Sequence, residues 1–174
     1  MRFLKISILV LLIVSCAPIR VHYDYDRTTS FDNYKTYQYY ADMNTGLSEL
    51  DTNRLLDALD AKMTEKGYRI SKTPDFYIDI KSRSYQEAPK STVGIGMGGS
   101  SGNMGGGVSV GIPVGQGNVS REITIDFVDH EKKQLFWQAI SESTFNPEAT
   151  PEVRNNMLTA IVEKVLSEYP PEDK

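Results

Sequence analysis

Asp24 and Asp26 have the residue type and the spacing that acid–base chemistry requires. One residue separates them, so in an extended strand both carboxylates project from the same face. Two neighbouring carboxylates can divide the work of glycoside hydrolysis, and carboxylate oxygens are ligands for calcium. A calcium site needs more converging oxygens in a DxDxDG-like loop, which the sequence lacks. The alternative is that both acids face solvent or pair with nearby cations, which are Arg20, Arg27 and Lys35.

Other residue types that serve catalysis occur without the partners they need. His22 and His130 are the two histidines, and no GxSxG turn supplies a nucleophile for them. The segment GIGMGG at 94–99 fits the letters of a dinucleotide-binding GxGxxG, but that fingerprint opens a helix, and more glycine follows here. We therefore predict a protein that is not an enzyme, with no catalytic residue, no metal ion and no dissociable cofactor.

The one cysteine, Cys16, has the setting of a lipid attachment site. Arg2 and Lys5 precede an apolar run at 6–14, which is shorter than the ~20 residues of a spanning helix and matches the core of a signal peptide. The run ends in IVSC, which resembles the bacterial lipobox, whose cysteine receives diacylglycerol and, after cleavage, an acyl chain. Residues 1–15 are then a cleaved signal peptide. The alternatives are a plain signal peptide with a chance cysteine, or an N-terminal span.

The lipobox resemblance also predicts a location. Three acyl chains anchor a protein essentially permanently, whereas one chain binds marginally. The residue after Cys16 is Ala17 and not aspartate, which by resemblance to the sorting rule of enteric bacteria favours the outer membrane, facing the periplasm. The formal net charge of -4 argues against nucleic acid as a partner. Partners other than the membrane are expected to be an envelope protein or another copy of the chain.

Tyrosines concentrate in the first two segments that have strand character, at 19–25 and 34–40. Tyrosine suits binding surfaces because it offers contact area and a hydroxyl at little entropic cost, and it also suits ordinary half-buried strands. Both interpretations remain open. The candidates for an interaction surface are Tyr23, Tyr25, Tyr37 and Tyr39.

Hydrophobic periodicity places the remaining elements. A capping box at Ser48 opens a helix to Lys66, and Gly67 suits the position past its end. A second helix begins at Thr150-Pro151 and runs to about Tyr169. Further strands are predicted at 75–85, 119–129 and 134–143. The apolar stripes comprise Leu55, Leu59 and Met63 on the first helix, Val153, Met157, Ile161 and Val165 on the second, and Leu135, Trp137 and Ala139 on the last strand.

The glycine-rich insert, residues 94–117, holds eleven of the thirteen glycines. Apolar residues alternate with glycine on both sides of its middle, which predicts two strand arms and a flexible tip. One interpretation is a dispensable surface loop, and the other is an adhesive hairpin that adds to another sheet. The candidate interaction residues in it are Gly94, Gly96, Gly98, Gly105, Gly106 and Gly107.

This order of elements predicts an α+β fold with one domain at 16–174. Strands joined by hairpins, with two amphipathic helices, favour an antiparallel β-sheet with both helices packed on one face and the glycine-rich hairpin as an insertion.

Several short motifs, in this order, resemble the DUF4136 family of bacterial lipoproteins. They are VHYDYD at 21–26, FDNYKTY at 31–37, KGY at 66–68, PDF at 74–76, ITIDFVD at 123–129 and LFWQ at 135–138. The insert departs from the family pattern, because it carries Val, Ile, Met, Ser and Asn where the family has more aromatic residues. The resemblance implies a fold, an anchor and a compartment, and no activity.

Two functions follow as hypotheses. The first is a non-enzymatic lipoprotein at the periplasmic face of the outer membrane that binds or assembles with an envelope partner. The second is an envelope hydrolase or a binder of glycan or small ligands that uses Asp24, Asp26 and the tyrosine-rich strands.

Overall fold

Ten helices and strands account for most of the part of the chain that the structure describes. A computed structural model describes residues 19–86, 92–95, 110–113 and 119–171, with the backbone alone for the two short ranges. The strands are β1 (Arg20–Tyr25), β2 (Thr36–Tyr39), β3 (Arg69–Ile70), β4 (Phe76–Gln86), β5 (Thr92–Ile95), β6 (Val110–Pro113), β7 (Val119–Asp129) and β8 (Leu135–Thr144). The helices are α1 (Glu49–Glu65) and α2 (Pro151–Leu166).

Six of these strands form one sheet in the order β1-β8-β7-β4-β2-β3. The pairs β1–β8, β8–β7 and β7–β4 are antiparallel, as the sequence predicts. β2 differs, because it runs parallel to both β3 and β4. The reason is that α1 follows β2 and returns the chain to the same end of the sheet, which is the connection that parallel strands require. The α+β class is confirmed, and the sheet is mostly antiparallel.

One face of the sheet is buried under both helices. Phe76, Ile78 and Ile80 on β4 alternate with polar residues, as do the matching positions of β7, so the apolar side chains share one face. Burial of each large side chain contributes about 1.5–3 kcal/mol. The core that they form with the helices includes Leu55, Leu59, Met63, Ile123, Ile125, Phe127, Trp137, Ile161 and Val165.

Local hydrogen bonds fix the helix ends where the sequence predicts them. The Ser48 Oγ accepts from the Asp51 amide at 3.2 Å, and Gly67 has φ +90°. The Thr150 Oγ1 accepts from the Val153 amide at 3.4 Å, with Pro151 in the first turn of α2.

Two predicted core residues and one helix end were wrong. Leu135 is 49% exposed because the β7–β8 register shifts between Phe127 and Val128, which turns Phe136 inward instead. Val153 is 54% exposed because it lies in the first turn of α2, and the buried positions of this helix begin only at Leu158. α2 ends at Leu166 and does not continue to Tyr169.

The described parts of the glycine-rich insert form a separate two-stranded sheet. β5 and β6 pair antiparallel, with Val93 opposite Ile112 and Gly94 opposite Gly111, which agrees with the predicted strand arms. The other glycine candidates lie outside the described residues, as do Cys16 and the predicted signal peptide. Within the described residues, no helix is long and apolar enough to cross a membrane.

Candidate functional site

The structure gives the two predicted acids different surroundings. The Asp26 Oδ1 accepts from the amide and the hydroxyl of Thr28, both at 2.8 Å, and these bonds hold the pKa of Asp26 below its usual value. Asp26 therefore shapes the turn after β1. Asp24 pairs in register with Gln138, which donates to the Asp126 Oδ1 at 2.7 Å on the sheet face away from the helices. Among the described side chains, no group of three acids, histidines or cysteines is placed to hold a metal ion.

Three of the four candidate tyrosines use their hydroxyls inside the fold. Tyr37 and Tyr39 both donate to the Asp60 Oδ1, at 2.8 and 2.6 Å, and burial together with Asp60 raises the pKa of both hydroxyls. Tyr23 donates to the Lys164 carbonyl at 2.6 Å, and its ring packs on Trp137. Tyr25, which is 37% exposed, is the candidate tyrosine with an exposed ring. Whether these residues contact a partner stays a prediction.

A cleft that the sequence does not predict lies between α2 and the ends of β7 and β8, beside the start of α1. Its volume is about 280 Å³. One side is charged, and the other side is formed by apolar side chains of α2. We call it the arginine cleft, and its principal lining residues are Asp51, Arg121, Phe145, Val153, Arg154, Met157, Leu158 and Ile161.

Asp51 is the anionic centre of the arginine cleft. It lies in the first turn of α1 and is 2% exposed. The turn before the helix sets its position, because Gly46 has φ +69° and approaches β4 closely. A Cβ at Gly46 would lie 2.7 Å from the Ser82 carbonyl oxygen. A glycine at this point therefore brings the start of α1 against the sheet.

Three arginines from three elements surround this carboxylate. Arg54 Nη1 lies 2.7 Å from the Asp51 Oδ1, and Arg154 Nη1 lies 2.9 Å from the Oδ2. Arg121 Nη1 lies 3.8 Å from the same Oδ2. α1, α2 and β7 each supply one guanidinium group, so the described cluster has three positive charges and one negative charge.

Arg121 is the most buried of the three arginines. Its side chain is 14% exposed, and its guanidinium carbon lies 3.4 Å from the centre of the Phe145 ring. Burial lowers the pKa of Arg121, Asp51 opposes that effect, and Arg154 adds to it. Arginine remains charged despite such a shift. A further anion near Arg121 would therefore be stabilised.

Arg154 holds the loop that closes one end of the arginine cleft. Its Nε donates to the Ala149 carbonyl at 3.1 Å, and its Nη2 donates to the Pro147 carbonyl. Two of its donors are committed to the loop and one to Asp51. Among the described residues, Ser84 accepts from the Arg121 Nε at 3.2 Å, and the Arg121 Nη1 lies 3.8 Å from the Asp51 Oδ2. Of the two lining arginines, Arg121 is the better placed to bind an added anion.

The lining of the arginine cleft suits a ligand with one anionic group and one apolar group. Guanidinium groups bind phosphate and carboxylate through paired donors. Val153, Met157 and Ile161 offer apolar contacts along α2. The sequence contains one signal for this site, because Asp51 continues the four-residue spacing of Leu55, Leu59 and Met63 and so places an acid on a buried stripe.

Comparison with known proteins relates the fold to two solved structures. A PDZ domain protein from Parabacteroides distasonis has a TM-score of 0.58 and 13% identity over 91% of this chain, which spans 36% of that protein. The PelC dodecamer from Paraburkholderia phytofirmans has a TM-score of 0.51 and 11% identity, covering 90% of this chain and 100% of that one. At such identities, the likeness concerns the fold alone.

Sequence comparison gives a narrower result. No curated protein matches the chain. A family model described as a domain of unknown function, DUF4136, matches residues 21–171. The match covers nearly the whole sequence and agrees with the order of motifs, and the chain belongs to the DUF4136 family.

Proposed function

We propose that this protein is a non-enzymatic, lipid-anchored binding module of the cell envelope, attached through Cys16 to the periplasmic face of the outer membrane. Its ligand is an anionic group held in the arginine cleft. The observation that carries this proposal is the gathering of three guanidinium groups around Asp51 beside an apolar wall. The charge surplus of two attracts an anion, and the buried cluster is already ordered before the ligand arrives.

Binding fits the cleft better than catalysis. Asp51 accepts from two arginines at short distance, so each of its carboxylate oxygens already has a fixed partner. The hydroxyls of Ser143 and Thr144 line the cleft without a histidine among the described lining residues.

The anchor is tested separately from the cleft. Mass spectrometry of the protein extracted from its own membranes should show an N-terminus at Cys16 carrying diacylglycerol and an acyl chain. The Cys16→Ser variant should keep its signal peptide and should carry no lipid. An unmodified Cys16 in the mature protein would contradict the anchor.

The cleft is tested with dodecyl phosphate, which combines the two groups that the lining suits. It should raise the thermal unfolding midpoint of the Cys16→Ser protein, whereas inorganic phosphate and dodecyl maltoside should raise it little. Arg121→Gln should weaken binding more than tenfold, since a charge-assisted hydrogen bond is worth about 1.5–3 kcal/mol. The matched control is Arg83→Gln on the neighbouring strand, where the side chain is 73% exposed and pairs with Glu122. Equal losses in both variants would contradict the proposal.

A second candidate function is assembly with copies of the chain or with an envelope protein. The observation that favours it is the edge strand β1, which pairs only with β8 among the described strands and is largely exposed. The fold relative PelC was crystallised as a dodecamer. Light scattering of the purified protein distinguishes an assembly from a monomer, and Val21→Pro in β1 should reduce any assembly that uses this edge.

A further inference from the structure

We infer that the arginine cleft opens at the end of the sheet that faces the bilayer, and that its ligand is an anionic phospholipid of the leaflet in which the protein is anchored. The inference rests on the proposed function and adds the ligand class and the orientation of the site.

The sheet register places the cleft at the end where the chain enters the fold. β1 runs antiparallel to β8, with Arg20 opposite Glu142. The chain before Arg20 therefore leaves the sheet at the end where β8 continues to Phe145. Arg121 lies at this end too, since it pairs with Ser143.

The link between the anchor and the fold is short. Ile19 already packs against the core, and Cys16 is three residues before it in the sequence. At up to ~3.6 Å per residue, the Cα atoms of Cys16 and Ile19 lie within about 11 Å of each other. A lipid on Cys16 therefore holds this end of the sheet, and with it the cleft, close to the headgroups.

The lining has a charged part and an apolar part, as a phospholipid has a charged headgroup and an apolar chain. The surplus positive charge lies at Arg121 and Arg154, and guanidinium groups match phosphate oxygens in geometry and charge. Val153 is exposed at the first turn of α2, and Met157, Leu158 and Ile161 continue inward as apolar wall. An acyl chain fits this wall, and a zwitterionic headgroup such as phosphocholine would bring its own positive charge and leave the charge surplus unmatched.

Anchoring makes a weak site effective. A ligand in the same leaflet meets the cleft at high effective concentration, because both are confined to one surface. The cleft then needs little intrinsic affinity to be occupied. Occupation would add a second contact with the membrane and fix the orientation of the domain on it.

Photocrosslinking in vesicles tests the inference. The full-length lipidated protein is reconstituted into phosphatidylcholine vesicles that contain a trace of phosphatidylglycerol or phosphatidylcholine, each with the same photoreactive acyl chain. We expect several-fold more labelling by phosphatidylglycerol, with adducts mapped by mass spectrometry to 153–161 in α2. Dodecyl phosphate should compete with this labelling.

Two variants and one control make the test specific. Arg121→Gln should reduce the phosphatidylglycerol labelling several-fold, and Arg83→Gln should not. Val153→Glu changes an exposed side chain, so folding is preserved, and the added negative charge at the mouth should reduce labelling as well. Equal labelling by both lipids, or adducts elsewhere, would overturn the inference. If dodecyl phosphate still binds in that case, the proposed function stands, whereas loss of dodecyl phosphate binding refutes the proposed function itself.

Discussion

A buried aspartate lies near each end of β7, and the two carboxylates are stabilised in different ways. Near its start, Asp51 is surrounded by the guanidinium groups of Arg54, Arg121 and Arg154. At its end, the Asp129 Oδ1 accepts from the amides of Glu131 and Lys132 at 2.8 and 2.6 Å, and the Oδ2 accepts from the Tyr34 hydroxyl at 2.7 Å. One carboxylate is matched by charged side chains and the other by neutral dipoles.

The difference separates a binding end from a structural end. Backbone amides and a hydroxyl satisfy the oxygens of Asp129 and bring no surplus of positive charge to this end. Asp75 beside it is satisfied likewise, by the amides of Lys35 and Thr36 and by the Thr36 hydroxyl at 2.8 Å. Three arginines, in contrast, exceed what one carboxylate needs. The same residue type therefore fixes a turn at one end and gathers positive charge at the other.

The largest expected effect follows from removing the Asp51 charge. Asp51→Asn should lower the free energy of unfolding by about 3 kcal/mol, because it leaves partly buried arginines without their counterion. The same variant should bind dodecyl phosphate more tightly, since the ligand then replaces the lost carboxylate. Urea denaturation and ligand-induced shifts of the unfolding midpoint measure the two effects.

The control for that prediction is Asp57→Asn, on the exposed side of the same helix. It should change stability by less than about 0.5 kcal/mol. A loss below 1 kcal/mol for Asp51→Asn, by order of magnitude, would mean that solvent already neutralises the arginines and that the charge surplus is not available to a ligand.

At the Asp129 end of β7, the expected loss of stability is smaller, and no change in ligand binding is expected. Asp129→Asn should cost about 2 kcal/mol and Tyr34→Phe about 1 kcal/mol, as charge-assisted hydrogen bonds are lost. The double variant should cost less than the sum, because both changes remove one shared bond. Neither variant should change dodecyl phosphate binding, and a change would show that the two ends are coupled.

The sequence predicts the helices and the long strands because their positions depend on local signals. Caps at Ser48 and Thr150 and the alternating positions of β4 and β7 are short-range patterns, and the structure confirms them. The predictions for Leu135 and Val153 were wrong because the register shift between β7 and β8 and the point along α2 at which burial begins are tertiary features. Periodicity alone carries no information about either.

The arginine cleft illustrates the same limit. Its charged residues are far apart in the sequence, since Asp51 and Arg154 are separated by 103 positions, and the packing of α1 against α2 brings these two together. The acid on the apolar stripe of α1 is the one local clue. The tyrosine cluster was visible in the sequence, but periodicity did not reveal that Tyr37 and Tyr39 share Asp60 as acceptor.

Acid should lower the free energy of unfolding through the two carboxylates at the Asp129 end of β7. Burial raises the pKa of Asp129 and of Asp75, but the amides and hydroxyls that they accept from outweigh it and leave both pKa values lowered. The folded chain therefore binds protons less readily than the unfolded chain, whose aspartates titrate near ~3.9. The stabilisation is complete above that pH and is lost as the pH falls through the lowered folded values.

This pH dependence is checked by urea denaturation between about pH 6 and pH 2. The wild type should lose stability more steeply than Asp129→Asn, so their difference should shrink towards the acid end. Asp75→Asn should behave in the same way. Parallel curves would show that neither carboxylate titrates below its unfolded value.

The smallest expected effect compares one exposed apolar side chain from each end. Val153→Ala and Leu135→Ala should each leave stability nearly unchanged, because the side chains are 54% and 49% exposed. Val153 lies at the mouth of the arginine cleft and Leu135 does not, so their effects on dodecyl phosphate should differ. Val153→Ala removes two methyl groups, and since the side chain is about half exposed, the loss at ~0.8 kcal/mol per buried group should weaken binding about fourfold. Titration by calorimetry measures this difference, and equal affinities would place the alkyl chain outside the apolar wall of α2.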